Sequence, residues 1–132
     1  MTQESGSLAE ELARFSRRHD ELGLSLGECR APPALVLRVG GVLDTDNAQD
    51  FSAVSALALA EAIPSGGLIL DLGELSYISS TGIGAIMNLL SASRELKTML
   101  YLRGMKPQVK ALFDALGFNA FFAILKPEGG AA

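Results

Sequence analysis

Three consecutive hydroxyl residues, Ser79, Ser80 and Thr81, stand in the stretch YISSTGIGAIM, between an apolar run and a segment of helical periodicity. Hydroxyls at a helix start do two kinds of chemistry. One can accept a hydrogen bond from a backbone N–H of the first turn, a cap worth about 1 kcal/mol. The same turn offers uncompensated N–H groups and a partial positive charge, so a phosphate carried by a hydroxyl there is locally favourable. Ser79 or Ser80 is the natural cap, and the surplus is a candidate modification site. Gly82 and Gly84 each cost about 1 kcal/mol of helix propensity against alanine. That cost fits a surface kept bare so that something can approach the hydroxyls closely.

A second polar group, Asp44, Thr45, Asp46 and Asn47, follows Gly40-Gly41. Asp44 is equally an ordinary cap or loop residue and a partner contact. Asp71, which breaks the apolar run LILDL, is expected to hold backbone N–H groups of the turn after it. Met105 belongs to a third short polar stretch.

Catalysis finds no support. A nucleophile elbow requires glycine two residues before the serine, and Ile78 stands there. The one histidine, His19, lies in the N-terminal segment, far from the hydroxyls in sequence. Gly82-Ile-Gly84 lacks the remaining glycine and lysine spacing of phosphate-binding loops. No Cys/His pair has metal-ligand spacing, so neither a cofactor nor a metal is expected. The net charge of −4 argues against a nucleic-acid surface. The cluster Arg14, Arg17, Arg18 and His19 reads as one solvated helix face. A single cysteine, Cys29, cannot pair within the chain and points to a reducing cytosol. No apolar run reaches the roughly eighteen residues of a membrane span, and the N-terminus lacks a secretory pattern. A cytoplasmic location follows as an expectation.

The elements that must position these groups are legible from periodicity. At 132 residues, 48% of them hydrophobic, one domain with a real core is expected. Ser7 to Glu10 has capping-box spacing, and Leu8, Leu12 and Phe15 recur at helical intervals, which predicts a helix over 7–19. Gly23 to Cys29 and Ala34 to Val39 read as strands joined by a turn. Asp46 with Gln49 gives a capping signal for a helix carrying Phe51, Val54, Leu57 and Ala58, stopped at Pro64. Leu68 to Leu72 is a strand buried on both faces, and Ile83, Ile86, Met87 and Leu90 mark the next helix. Thr98 to Leu102 is a strand, Pro107 opens a helix through Leu116, Gly117 ends it, and Ala120 to Leu125 is a last strand. Strands alternating with helices imply an α/β fold, with a largely parallel sheet and an antiparallel first pair. The loops 43–47, 73–81 and 103–106 are expected to gather at one edge. The N-terminal helix is too short to stand alone and must dock, on its own domain or on another copy, apart from the site.

Three blocks in this order carry a resemblance. LILDLGELSYISSTGIGAIMNLL, GGVLDTDNAQDF and YLRGMKPQVKALFDALGFNAFFAIL together resemble the anti-sigma-factor antagonist, or STAS, family. The resemblance covers about residues 22–125, with 1–21 as an N-terminal helical extension and 126–132 as a disordered tail. It implies a single domain with a four- to five-stranded mixed sheet and amphipathic helices packed on it. It also implies a non-enzymatic switch that binds an anti-sigma factor/serine kinase of GHKL type and so releases a sigma factor. Phosphorylation ends that binding in the family. Aligned on Gly82, the phosphoacceptor is Ser80, with Ser79 and Thr81 as alternates. Ser79 replaces the aspartate usual in kinase-regulated members. The partner surface implied is Asp44, Thr45, Asp46, Ser79, Thr81, Gly82, Ile83 and Met105. A homodimer through the N-terminal helix, a scaffold role in a larger signalling assembly, and a soluble subunit of a lipid or anion transport system stay open.

Overall fold

The computed structural model describes residues 7–121 and 123–125. Helix α1, Ser7–Arg18, precedes a hairpin of β1, Leu22–Arg30, and β2, Pro33–Leu43. Then come α2, Ala48–Ala62, β3, Gly67–Ile78, α3, Ser80–Glu95, β4, Met99–Arg103, α4, Pro107–Ala115, and β5, Ala123–Leu125. The five strands lie in sequence order across one sheet, antiparallel between β1 and β2 and parallel thereafter. The mixed α/β sheet expected from the alternation of periods is present. The last strand is shorter than expected. The chain at Phe118–Phe121 makes a 3-10 turn, so the last strand starts at Ala123 rather than Ala120.

Burial separates the two faces of the sheet. Leu37, Val39, Leu68, Leu70, Leu100 and Leu102 join Phe51, Leu59, Ile86, Val109 and Phe113 from the helices in one core. The alternate residues Ala34, Val36 and Ile69 form a smaller cluster with Cys29, Tyr101 and Leu125, and among the described residues no helical residue contributes to it. The helices therefore share one face, as the period-2 alternation of strand side chains requires. Helix α1 docks on its own domain: Phe15 is 3% exposed and Leu8 8%, both within the main core. Its stripe has no stability alone, and packing against α2 and β1 supplies it. The tail expected to be disordered, 126–132, lies outside the described residues.

The central strand decides where the site sits. The sequence predicts a loop from Gly73, because apolar alternation fails after Leu72. Instead β3 runs on to Ile78, paired with an equally prolonged β2 whose last residue, Leu43, faces Ile78. Two register shifts, between Arg38 and Gly40 and between Gly41 and Val42, absorb extra residues of β3. Each such irregularity turns the pleat by one position, so Leu72, Leu75 and Ile78 all reach the core at every third residue. The expected loop is thereby reduced to Ser79 alone.

Candidate functional site

Ser79 joins β3 to α3 without slack. Its N–H donates to the Leu43 carbonyl at 2.9 Å, tying the end of β2 to the start of α3. Its backbone is extended, and its hydroxyl oxygen accepts from the Gly82 N–H at 3.1 Å. Ser79 is the helix cap. Thr81 is engaged sideways, its Oγ1 lying 3.3 Å from Thr45 Oγ1 on the neighbouring loop. Ser80 occupies the first helical position and is exposed, and among the described residues its hydroxyl has no intramolecular hydrogen-bond partner. Capping, cross-linking and free presentation thus fall to one hydroxyl each.

The two glycines differ in kind. A Cβ on Gly82 would lie 2.9 Å from both Ile78 Cγ1 and Leu43 Cγ and 3.1 Å from the Leu43 carbonyl oxygen. Gly82 is buried and lets α3 seat against the strand ends; it exposes nothing. A Cβ on Gly84 would meet no atom within 4 Å. Only Gly84 keeps a surface bare. Alanine at 84 is expected to stabilise the fold by about 0.5–1 kcal/mol through helix propensity. At 82 the same change should destabilise by about 1–2 kcal/mol, because overpacking outweighs propensity. Urea unfolding of the two variants checks this. Equal signs would show that the contacts of Gly82 yield freely.

The loop from Asp44 to Asn47 is fixed by a residue that sequence reasoning passed over. Asn47 is fully buried. Its Nδ2 donates to Glu21 Oε2 at 2.8 Å and to the Val42 carbonyl at 2.9 Å, and its Oδ1 accepts the Asp44 N–H at 2.9 Å. Helix α2 begins at Ala48 with Asn47 at the N-cap position, so the capping role expected of Asp46 is not observed. The Asp46 N–H instead donates to Asp44 Oδ1 at 3.0 Å, an Asx turn that leaves Thr45 and Asp46 exposed. His19, read from sequence as part of a solvated face, is mostly buried: its Nε2 lies 2.8 Å from Asp50 Oδ2 and its Nδ1 3.4 Å from Glu21 Oε2. Asp50 is held below the ordinary carboxylate range, chiefly by the His19 hydrogen bond and further by Arg18. Glu21 is lowered too, by a backbone hydrogen bond at Glu21 itself and by Asn47. The N-terminal segment expected to stand apart from the site is bonded to it. A buried asparagine between an acidic loop and a helix start was the available signal, since such a side chain must be satisfied.

The third loop does not join the first two. Asp71 pairs with Arg103 in the parallel ladder, so Gly104 leaves the sheet beside Gly73, well short of Ile78. Asp71 Oδ1 accepts the Gly73 N–H at 2.9 Å, and its Oδ2 accepts from Arg103 Nε and Nη2 at 3.2 and 2.8 Å. Lys106 Nζ donates to the Gly73 carbonyl at 2.6 Å. Met105, expected on the partner surface, is half-buried and packs against the main core. Ile83, expected there too, is 3% exposed and also faces the core. What remains open beside Ser80 is a groove of about 690 Å³ between α2 and α3, lined by Thr45, Gln49, Ser52, Thr81, Gly84 and Asn88 among others. Among the described residues no group of three metal-ligating side chains is found.

Residues 29–131 match the model of the STAS domain. The chain belongs to the STAS-domain family. Over 100 residues this STAS domain is 31% identical to a Bordetella bronchiseptica protein described as an anti-sigma factor antagonist, BtrV, the match covering 74% of this chain and 83% of that one. It is similar in structure to an anti-sigma factor antagonist from Thermotoga maritima, with a TM-score of 0.66 at 15% identity, covering 81% and 89% of the two chains. The Bacillus cell fate determinant SpoIIAA in its phosphorylated form aligns with a TM-score of 0.59 at 18% identity, covering 82% and 96%. These two likenesses establish that the five-stranded STAS fold is shared. In this STAS domain α1 lies wholly before the residues matched by the family model, and His19 and Glu21 tie the segment that follows it to the site.

Proposed function

We propose that this chain is an anti-sigma-factor antagonist, switched by phosphorylation of Ser80. The observation that carries the reading is the division of the three hydroxyls. Ser79 is committed to the cap and Thr81 to Thr45, and Ser80 alone is exposed without an intramolecular partner. A kinase needs an accessible hydroxyl, and the α3 N-terminus accommodates the phosphate that results. The relatives named as antagonists support the same reading, and one of them, SpoIIAA, has been solved in a phosphorylated form.

In this reading the unphosphorylated edge, formed by Asp44, Thr45, Asp46, Ser80, Thr81 and the groove beside them, docks on an anti-sigma factor that is a serine kinase of GHKL type. Docking frees the sigma factor in the cytoplasm. Gly82 and Ile83 support that edge from within. Among the described residues no helix is long and apolar enough to cross a membrane, which accords with such a role. A homodimer through α1 would require that helix to leave the core in which Leu8 and Phe15 are buried.

The test is phosphorylation by the cognate kinase from purified components, with the site mapped by mass spectrometry. Phosphate is expected on Ser80, and none in Ser80→Ala, which should still bind the kinase with nearly wild-type affinity. Phosphate on Ser79 or Thr81 would move the acceptor and unmake the division of roles. No phosphate on any of the three would remove the switch.

A further inference from the structure

Four side chains close a ring between the N-terminal helix and the loop beside Ser80. Asn47 donates to Glu21 at 2.8 Å, and Glu21 lies 3.4 Å from His19 Nδ1. His19 Nε2 lies 2.8 Å from Asp50, which sits in the first turn of α2, the helix that Asn47 opens. The backbone repeats the connection, the Val42 N–H donating to the Glu21 carbonyl at 2.9 Å. Gly41, at φ 102°, comes so close that a Cβ there would lie 2.3 Å from that carbonyl oxygen, an approach only glycine permits. The Phe15 ring of α1 packs 4.6 Å from the imidazole, centroid to centroid. The loop carrying Thr45, and through it the contact to Thr81, is therefore anchored on residues that follow α1.

We propose that His19 and Glu21 are positioning residues for the partner-binding loop, and that α1 is the brace that holds them. The antagonist reading supplies only what the loop binds; the brace stands on the geometry. Both imidazole nitrogens face carboxylates. Only the doubly protonated ring donates to both, and a neutral ring leaves one carboxylate opposite a lone pair. The charged groups facing the ring are Glu21, Asp50 and Arg18, whose Nη1 donates to Asp50 Oδ2 at 3.2 Å. The sign follows from these groups. Glu21 and Asp50 have lowered folded values, so their contribution is complete above their unfolded values and lost as the pH falls through the folded ones. The brace therefore weakens as the medium turns acid.

Amide hydrogen exchange on the full chain, without any partner, tests this. In His19→Ala the protection of amides from Asp46 to Phe51 is expected to fall at least tenfold near pH 6, with the core amides of β3 and α3 unchanged. In the wild type, protection of the same amides, corrected for intrinsic exchange, should fall as the pH is lowered through the folded values of Glu21 and Asp50, and His19→Ala should show a smaller step, because the His19 hydrogen bond is the largest cause of the lowering at Asp50. Glu21→Gln keeps the shape of the ring while removing its charge, and should show the local loss even if His19→Ala folds poorly. Unchanged protection in this loop, a loss spread evenly over the sheet, or the same pH step in both proteins would overturn the proposal. Phosphorylation of Ser80 is read in a separate assay, so a failed antagonist reading leaves this outcome standing.

Discussion

A Ser80→Asp variant should bind the cognate anti-sigma factor tenfold to a hundredfold more weakly than the wild type, while unfolding at nearly the same urea concentration. The first half follows from placing charge on an edge that must be desolvated when the complex closes. A buried charge without a partner costs several kcal/mol, and tenfold to a hundredfold corresponds to only about 1.4–2.7 kcal/mol of that. Asp44 and Asp46 already make the neighbouring loop acidic, and a carboxylate on the partner would add repulsion. The second half follows from where the charge sits. At the first position of α3 a negative group is favoured by the helix dipole, and no contact has to break to admit it. Aspartate carries less charge than a phosphate, so authentic phosphorylation should weaken binding further. A binding titration beside a urea melt reads both halves. Wild-type affinity in Ser80→Asp would sink the switch. Lost affinity with an equally large loss of stability would assign the effect to folding.

The largest single effect on folding is expected at Asp71. The Arg103 guanidinium is 5% exposed and the Asp71 carboxylate 18%, with two N–H groups of the arginine on one carboxylate oxygen. Removing one partner of a buried pair costs roughly 3–5 kcal/mol where the remaining charge is left uncompensated, and a further interaction of Arg103 lowers that cost. The partial exposure of Asp71 places Asp71→Ala toward the lower end of that range. Asp71→Asn should cost less, since its amide oxygen can still accept the Gly73 N–H. Urea unfolding with a fixed slope measures both. A loss under about 1 kcal/mol in Asp71→Ala would mean that water screens the pair and that the β3–β4 ladder alone fixes Gly73 and Gly104.

Asp71 also marks the point beyond which the sequence stops being a sufficient guide. Up to Leu72, apolar runs and their punctuation specify strands, helices and their order, because burial enforces a period of 2 or 3.6. After Leu72 the pleat is turned by register shifts, which depend on the partner strand and leave no local period to read. The expected loop from Gly73 is strand for that reason, and Met105 was placed at an edge that the longer β3 and β2 had carried away from it. The hydroxyl run was legible as a helix start, and the apportioning of its roles was not. That apportioning depends on Leu43, Thr45 and Gly82 arriving from other elements. His19 read as part of a solvated face because Asp50, the carboxylate facing its Nε2, lies more than thirty residues along the chain. Gly82 and Gly84 look alike in sequence, and only the third dimension separates a packing glycine from a bare one.

The passage from β3 to α3 through the single residue Ser79 has a consequence for timing. A longer loop could fold away a modified side chain, hide it or present it in several poses, and each pose would have its own relaxation. Here Ser79 is bonded at both its N–H and its hydroxyl, and Ser80 is carried on a rigid junction. If Ser80 carries the proposed switch, nothing at the junction has to rearrange when a phosphate is added. The protein would then work as a mark rather than a machine: its state would change at the instant of the chemistry, and the response would be as fast as the kinase that writes it.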